Sequence, residues 1–407
     1  MMLTNALLAD GRLVDISAAD GLISSVTPSN PKGAPDGAST TDLGGWLVLP
    51  AMAEPHAHLD KALTADLVPN PTGDLMGAIT AWIAAAQAGK ITHDGIVERA
   101  IAAMDLLLVH GVTAVRTHVN VMAATGATAV VAVKEAAAHF TDSLDVQIVA
   151  LCGSPLSGPD GAPTRAALAA ALEAGADLVG GCPHLDPDGV GLIQVAIDAA
   201  SDAGIGIDLH VDEMLDPSVL FLRDYARMIA DSGFEHLRAA SHCVTLGMQT
   251  PEVQAAVSAE VAAAALAVFA LPQTNLFLQG RDDPTATPRG LTAVAALQDA
   301  GALVAAGADN VQDPFNLVGR SDPLETAALM VMAGHQLPAN AYDLVSNNAR
   351  RAMGLAPVNF EVGDPADIVA IDATSVRGAL ADAPMSRRVF RRGQLVASAD
   401  QETSVYR

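Results

Sequence analysis

The segment AMAEPHAHLDK, Ala51–Lys61, decides the fold. It begins apolar and ends with two histidines, His56 and His58, one residue apart. In a β-strand, residues i and i+2 share a face, so both imidazoles project to one side. Two imidazoles on one face can grip one metal ion. An isolated His-x-His is equally compatible with ordinary core or surface histidines, so the rest of the chain has to decide.

Working outward, apolar runs recur along the chain: WLVLPAMAEPHAH (46–58), TAVRTHV (113–119), DVQIVALCG (145–153), DLVGGCPH (177–184), GIGIDLHVDE (204–213), LRAASHCV (237–244), AVFALPQ (267–273) and ALVAAGADN (302–310). Between them lie segments with helical spacing, such as TRAALAAALEAGA (164–176) and VGLIQVAIDAASDAG (190–204). Near-continuous apolar strands mark a parallel sheet covered on both faces. Eight such strands with intervening helices predict a (β/α)8 barrel of the TIM type. A doubly wound open sheet is the alternative, and no G-x-G-x-x-G follows the first strand to favour it. At the chain ends, LLADGRLVDI and SAADGLISSV carry Asp-Gly between apolar segments, a hairpin signal, and GDPADIVAID and RRVFRRGQLVAS read the same way. The expected organisation is a catalytic barrel over residues 51–355 and a small β-sandwich domain built from residues 1–50 and 356–407.

Composition narrows the function. The 407 residues are 51% hydrophobic, ample for a large core, and carry a formal net charge of −24. The four lysines are Lys32, Lys61, Lys90 and Lys134. That balance argues against nucleic acid and anionic membrane as partners, since both require cationic patches. Cys152, Cys182 and Cys243 are too far apart for a C-x-x-C site, so neither a disulfide framework nor a cysteine-rich zinc site is expected. No charged segment precedes an apolar one at the start, and the longest apolar stretch, Val261–Pro272, falls short of the roughly 20 residues a membrane helix needs. The expected compartment is cytoplasmic.

In a (β/α)8 barrel, chemistry gathers at the C-terminal ends of the strands. The first run ends in His56 and His58, the fifth in His210, Asp212 and Glu213, the sixth in His242, and the eighth in Asp309 and Asn310. Buried imidazoles and carboxylates are costly unless paired or metal-bound, so their common position points to a metal site. His56, His58, His210 and Asp309 supply three imidazoles and one carboxylate, a set that suits zinc or iron as a divalent ion and leaves room for a water.

The ordered motifs PHAHLDK, RTHVN, DVQIVAL, GADLVGGCPH, DLHVDE, SHC, LQGR and GADNVQDPF, spread from about residue 50 to residue 355, resemble those of the cytosine deaminase branch of the amidohydrolase superfamily. The terminal GDPADIVAID matches as well. The resemblance implies a metal-dependent hydrolase acting on C–N bonds, deaminating an amino-substituted N-heterocycle of pyrimidine, triazine or pterin type. It places His56, His58, His210 and Asp309 on the metal-ligand positions, with Asp309 also in the catalytic set. It places Glu213 on the proton-shuttling glutamate and His242 on the histidine that polarises the attacking water or the developing oxyanion. Related binuclear barrels bridge two ions with a carboxylated lysine near the end of the fourth strand. Here no lysine follows Lys134, so one metal ion is expected; a bridge through Cys182 or a glutamate is the alternative.

The departures concern the substrate. Where cytosine deaminases carry a glutamine that reads the pyrimidine edge, this chain has Gly153, followed by Ser154. Asn310 replaces the acid after the ligand aspartate, and Phe315 replaces a tryptophan. A relative acting on alkylamino-triazines also has Asp-Asn at this point. Cytosine is therefore expected to be a poor substrate, and Gly153 to open volume for a bulkier ring. Lys61, Gln279 and His184 complete the expected substrate-contacting set, with loop bracing as the plainer role of Lys61 and Gln279. His118 either supports the metal site or belongs to the barrel core. His93, His139, His236 and His335 read as surface or helix residues. Two other functions stay open: an amidohydrolase that removes an N-alkylamine or opens a cyclic amide, and a non-catalytic barrel, which the intact ligand set and shuttle disfavour. The expected partners are a small heterocyclic substrate and further copies of the chain in a homo-oligomer.

Overall fold

All eight apolar runs form strands of one parallel sheet: Met52–Ala57, Val112–Val121, Asp145–Cys152, Leu178–Gly180, Gly206–Val211, Arg238–His242, Ala267–Ala270 and Val304–Ala306. The structure, a computed structural model, describes residues 1–29 and 40–406; residues 30–39, which include Lys32, and residue 407 lie outside the described residues. The strands pair in chain order. The sheet closes where Asp309 N donates to His56 O at 3.0 Å and Ala57 bridges Asp309 in parallel register. The result is the (β/α)8 barrel predicted from the apolar periodicity.

The intervening helices follow from local chemistry. The helix Gly189–Ala203 starts where the Asp188 side chain accepts from Gly191 N and stops at Gly204, whose φ of 66° is left-handed. Its buried residues Leu192, Ile193, Ala196, Ile197 and Ala200 repeat at the spacing of one helical face. Small alanines on such faces let helices approach the strands closely. No helix among the described residues is long and apolar enough to cross a membrane.

Both chain ends meet in a second, 8-stranded sheet. Its order is Gln394–Ala399, Arg387–Arg391, Ile368–Ile371, Leu47–Pro50, Met2–Leu8, Leu13–Ala19, Leu22–Pro28, with Thr40–Asp42 pairing beside Met2–Leu8. Leu3, Ile16, Ile23, Val48, Ile368 and Phe390 share its core. The run WLVLPAMAEPHAH, read from sequence as one strand, is two. Leu47–Pro50 belongs to the end sheet and Met52–Ala57 to the barrel, with the change at Ala51, whose N–H donates to Asp367 O at 3.0 Å. A continuous apolar pattern carries no mark of a change of sheet.

Buried arginines couple the two sheets. Arg387 makes a bidentate pair with Asp322, at 2.9 and 2.7 Å, and donates to His110 O at 2.7 Å. Asp322 also caps the barrel helix Pro323–Met332 through Leu324 N. Arg391 pairs with Asp145 at the start of the third barrel strand. Replacing Arg387 would leave Asp322 buried without its cation, a loss of about 3–5 kcal/mol. Arg387→Met should lower the guanidinium unfolding midpoint accordingly; a change under about 1 kcal/mol would show that the pair does not hold the end sheet to the barrel.

Candidate metal centre and active site

Four strand-end side chains converge at one end of the barrel. Asp309 Oδ1 lies 3.5 Å from His56 Nε2 and 3.2 Å from His58 Nε2, and His210 Nε2 lies 3.3 Å from His58 Nε2. All four residues are buried. Tetrahedral coordination with ligand bonds of about 2.0–2.2 Å separates donor atoms by about 3.3–3.6 Å, the spacing seen here.

The hydrogen bonds around these rings settle what the inward atoms are. Ser241 Oγ donates to Asp208 Oδ1 at 3.0 Å and so accepts from His56 Nδ1 at 2.8 Å. His58 Nδ1 lies 2.9 Å from His118 O and therefore carries its proton there. Burial, then neighbouring imidazoles or Lys61, holds both histidines well below their usual pKa, so the rings are neutral. Their Nε2 atoms are bare lone pairs facing the oxygens of Asp309. Neither His56 Nε2 nor either Asp309 oxygen has a hydrogen-bond partner among the described residues. Lone pairs turned on one another repel, and each orphaned buried group costs about 1–3 kcal/mol. A divalent cation at their centre removes that cost, so the residues fit a metal ion.

Further residues hold these side chains in place. Arg116 Nη1 donates to Asp208 Oδ2 at 2.9 Å, completing a buried chain Arg116–Asp208–Ser241–His56. Glu54 accepts from His56 N at 3.1 Å and from Ala308 N at 3.0 and 3.1 Å, clamping the first strand to the last. Burial raises the Glu54 carboxyl to about 8. His118 stacks on His56 with ring centroids 4.0 Å apart, and its Nε2 lies 3.6 Å from Asp208 Oδ2. His56, His118 and His210 offer nitrogens within 4.8 Å of one another, and so do His56, His242 and Asp309 with their oxygens included.

Glu213 and His242 stand beside the cluster. Glu213 Oε1 lies 3.6 Å from His242 Nδ1. His242 Nδ1 donates to Asn275 Oδ1 at 3.0 Å, which leaves Nε2 bare, 3.9 Å from Asp309 Oδ2. Burial, then the nearby Asp309, pushes the Glu213 carboxyl well above its usual range, while burial lowers His242 to about 4. A buried carboxyl raised in this way takes up a proton more readily than a free one, as a proton carrier must, while the neutral His242 ring keeps Nε2 as an acceptor. Asp212, His242 and Asp309 all have positive φ, at 53°, 69° and 66°. Left-handed backbone at non-glycine residues costs of order 1–3 kcal/mol each and concentrates at functional sites.

A cavity of about 320 Å³ opens over these groups. Among the residues expected to contact substrate, Lys61, Gly153, Ser154, Asn310 and Phe315 line it; His184 and Gln279 do not. Gln279 Nε2 instead donates to Glu213 O at 3.1 Å, bracing that strand end. His184 sits in a short 3-10 turn, Pro183–Leu185. Gly153 does not open volume as expected: a Cβ there would lie 2.6 Å from Met122 Sδ, so Met122 fills the space. His139, His236 and His335 are exposed and His93 is half-buried, as read from sequence. The residues sequence reasoning missed are Glu54, Arg116, Asn120, Asp208, Ser241 and Asn275. Strand parity marks several of them, since Glu54 shares a face with His56 and His58, Asp208 with His210, and Arg116 and Asn120 with His118. A helix, Leu75–Gln87, adds Leu75, Met76, Ile79, Trp82 and Ile83 as an apolar wall.

Known proteins share this fold. The chain is 32% identical to a pterin deaminase of Rhizobium rhizogenes (strain K84 / ATCC BAA-868) over 388 residues, covering 94% of this chain and 87% of that protein. It superposes on 5-methylcytosine deaminase from Klebsiella pneumoniae, liganded with 5-fluorocytosine, with a TM-score of 0.89 and 28% identity, over 100% of this chain and 99% of that one. N-isopropylammelide isopropylaminohydrolase from Burkholderia multivorans ATCC 17616 superposes with a TM-score of 0.83 and 27% identity, over 98% of each chain. The model of the amidohydrolase family matches residues 92–397, and with that span and these relatives the chain belongs to the amidohydrolase family.

Proposed function

We propose that this protein is a mononuclear metal-dependent deaminase of an amino-substituted, oxo-bearing N-heterocycle of pterin size. The observation that carries the reading is the convergence of His56, His58, His210 and Asp309 with Glu213 and His242, all of which except His56 line the cavity. The 32% identity to a pterin deaminase and a cavity of about 320 Å³ favour a bicyclic ring over a single pyrimidine.

His56, His58, His210 and Asp309 would hold the metal, zinc or iron. When bound, it acts as a Lewis acid that makes water ionise near neutral pH. The chain's own residues do the rest. His242 Nε2 accepts a hydrogen bond from the attacking water and fixes its direction. Glu213, as the carboxylate, takes one proton from that water and passes it to the ring nitrogen, then carries the second from the new hydroxyl to the departing amine. A C–O bond forms, the C–N bond breaks, and ammonia leaves. The apolar wall of Leu75, Ile79 and Trp82 packs on the ring and keeps bulk water away. The same wall could seat an N-alkyl substituent, and in that second reading the leaving group is an alkylamine.

Three outcomes are expected. Glu213→Gln should keep its metal and lose on the order of 10²-fold or more in kcat, because only the proton relay is removed; near-wild-type turnover would refute the role. Elemental analysis should find about one tightly bound divalent metal per chain, and chelation should abolish turnover until metal is restored; two ions per chain, both required, would overturn the mononuclear reading. On a panel of aminopteridines, aminotriazines and aminopyrimidines, ammonia release should be most efficient with a pteridine and poor with cytosine. Cytosine as the best substrate, or alkylamine release in place of ammonia, would displace this reading.

A further inference from the structure

Most polar side chains on the cavity wall are already committed. His58, His210 and Asp309 face the metal position. Asn310 Nδ2 donates to Asp313 Oδ2 at 2.7 Å, and Ser154 Oγ donates to Leu185 O at 2.9 Å. Asn120, the penultimate residue of the second barrel strand, is different. Its Oδ1 accepts from Lys61 Nζ at 2.9 Å, and its backbone N donates to Asp60 Oδ2 at 3.1 Å. An ammonium only donates, so the amide oxygen must face Lys61 and Nδ2 must face away. Nδ2 makes no hydrogen bond to any described residue, and Asn120 lines the cavity.

Lys61 is locked beside it. Its Nζ is 3.2 Å from Asp60 Oδ1 and 5.7 Å from the Trp82 ring centroid. It also lies 3.2 Å from His58 Nδ1, which already spends its proton on His118 O. Two donors meet there, so this contact absorbs none of the ammonium's hydrogens. The wall formed by Lys61 and Asn120 thus offers N–H groups and positive charge, with its one amide oxygen turned towards Lys61.

We infer that Asn120 is a specificity-determining residue, whose Nδ2 donates to a ring oxo oxygen of the substrate while the adjacent Lys61 ammonium excludes an amino group from the same position. The inference rests on the deaminase reading above and narrows it to rings that carry an oxo group on the edge facing the first and second strands. An amino group there would set donor against donor beside a cation. A site built to bond one group discriminates strongly against its replacement, because buried partners are left unpaired.

The test compares 2-amino-4-oxopteridine with 2,4-diaminopteridine, which differ at one position. The wild-type enzyme should prefer the oxo ring in kcat/KM by about tenfold or more. Asn120→Asp keeps the bond from Lys61 and turns the free donor into an acceptor, so the preference should fall by about 10- to 100-fold, with metal content unchanged. Asn120→Ala should bring the ratio towards unity, mainly through KM. If either variant slows both rings equally and leaves the ratio within about twofold of wild type, Asn120 only braces Lys61 and the inference is overturned. If the wild-type enzyme releases ammonia from no heterocycle, the deaminase reading fails separately. Dissociation constants from the intrinsic fluorescence of the two rings then give the same ratio without turnover, and binding of neither ring overturns the inference too.

Discussion

The hydrogen bond from Asp309 N to His56 O, at 3.0 Å, closes the barrel between its first and last strands. The same two residues carry side chains of the candidate metal cluster, so the closure of the sheet and the assembly of that cluster are one event. Glu54 secures the seam by accepting from both strands. Gly307 is required beside it, because a Cβ there would lie 2.4 Å from Glu54 Oε1. A cation that binds only the closed barrel stabilises that closure in turn, since binding to the folded state alone shifts the folding equilibrium.

Below the seam, charge is arranged in depth. Arg116 is fully buried and pairs with Asp208, which orients Ser241, which orients His56. Each link fixes the hydrogen-bond direction of the next, and the last fixes the tautomer of His56. The chain ends with a bare nitrogen aimed at the metal position, so little reorganisation is left for the moment of reaction. The left-handed backbone at Asp212, His242 and Asp309 fits the same picture. Those residues are bent away from ordinary strand geometry so that their own or their neighbours' side chains face the cavity, and the barrel's packing bears the strain.

The proposed recognition wall is built differently from the candidate catalytic cluster beside it. The proposed metal-facing groups come from the first, fifth and eighth strands, whereas the proposed donors come from the loop after the first strand and the end of the second. Met122 covers Gly153 and makes the third-strand side of the cavity apolar. The helix Leu75–Gln87 adds further apolar surface. A change of polar groups on one wall would therefore leave the clustered histidines and Asp309 undisturbed. This separation is consistent with relatives of the family that act on pterins, on methylated cytosine and on N-isopropylammelide while sharing the architecture.

Sequence alone determined the eight strands, the helices between them and the polar residues at the strand ends, because apolar periodicity and strand parity are local properties of the chain. His56, His58, His210, Glu213, His242 and Asp309 were legible for that reason. The split of the first run at Ala51 was not, since a strand that changes sheets keeps the same apolar pattern. Nor were the partners of the ligands: Ser241 lies 185 residues from His56, and Ala308 lies 254 residues from Glu54. The filling of Gly153 by Met122 was likewise invisible, because an empty position in sequence says nothing of which neighbour leans into it. Only the closed barrel decided these, by bringing strand ends within hydrogen-bond distance and so fixing which polar atoms are satisfied and which remain free for a ligand.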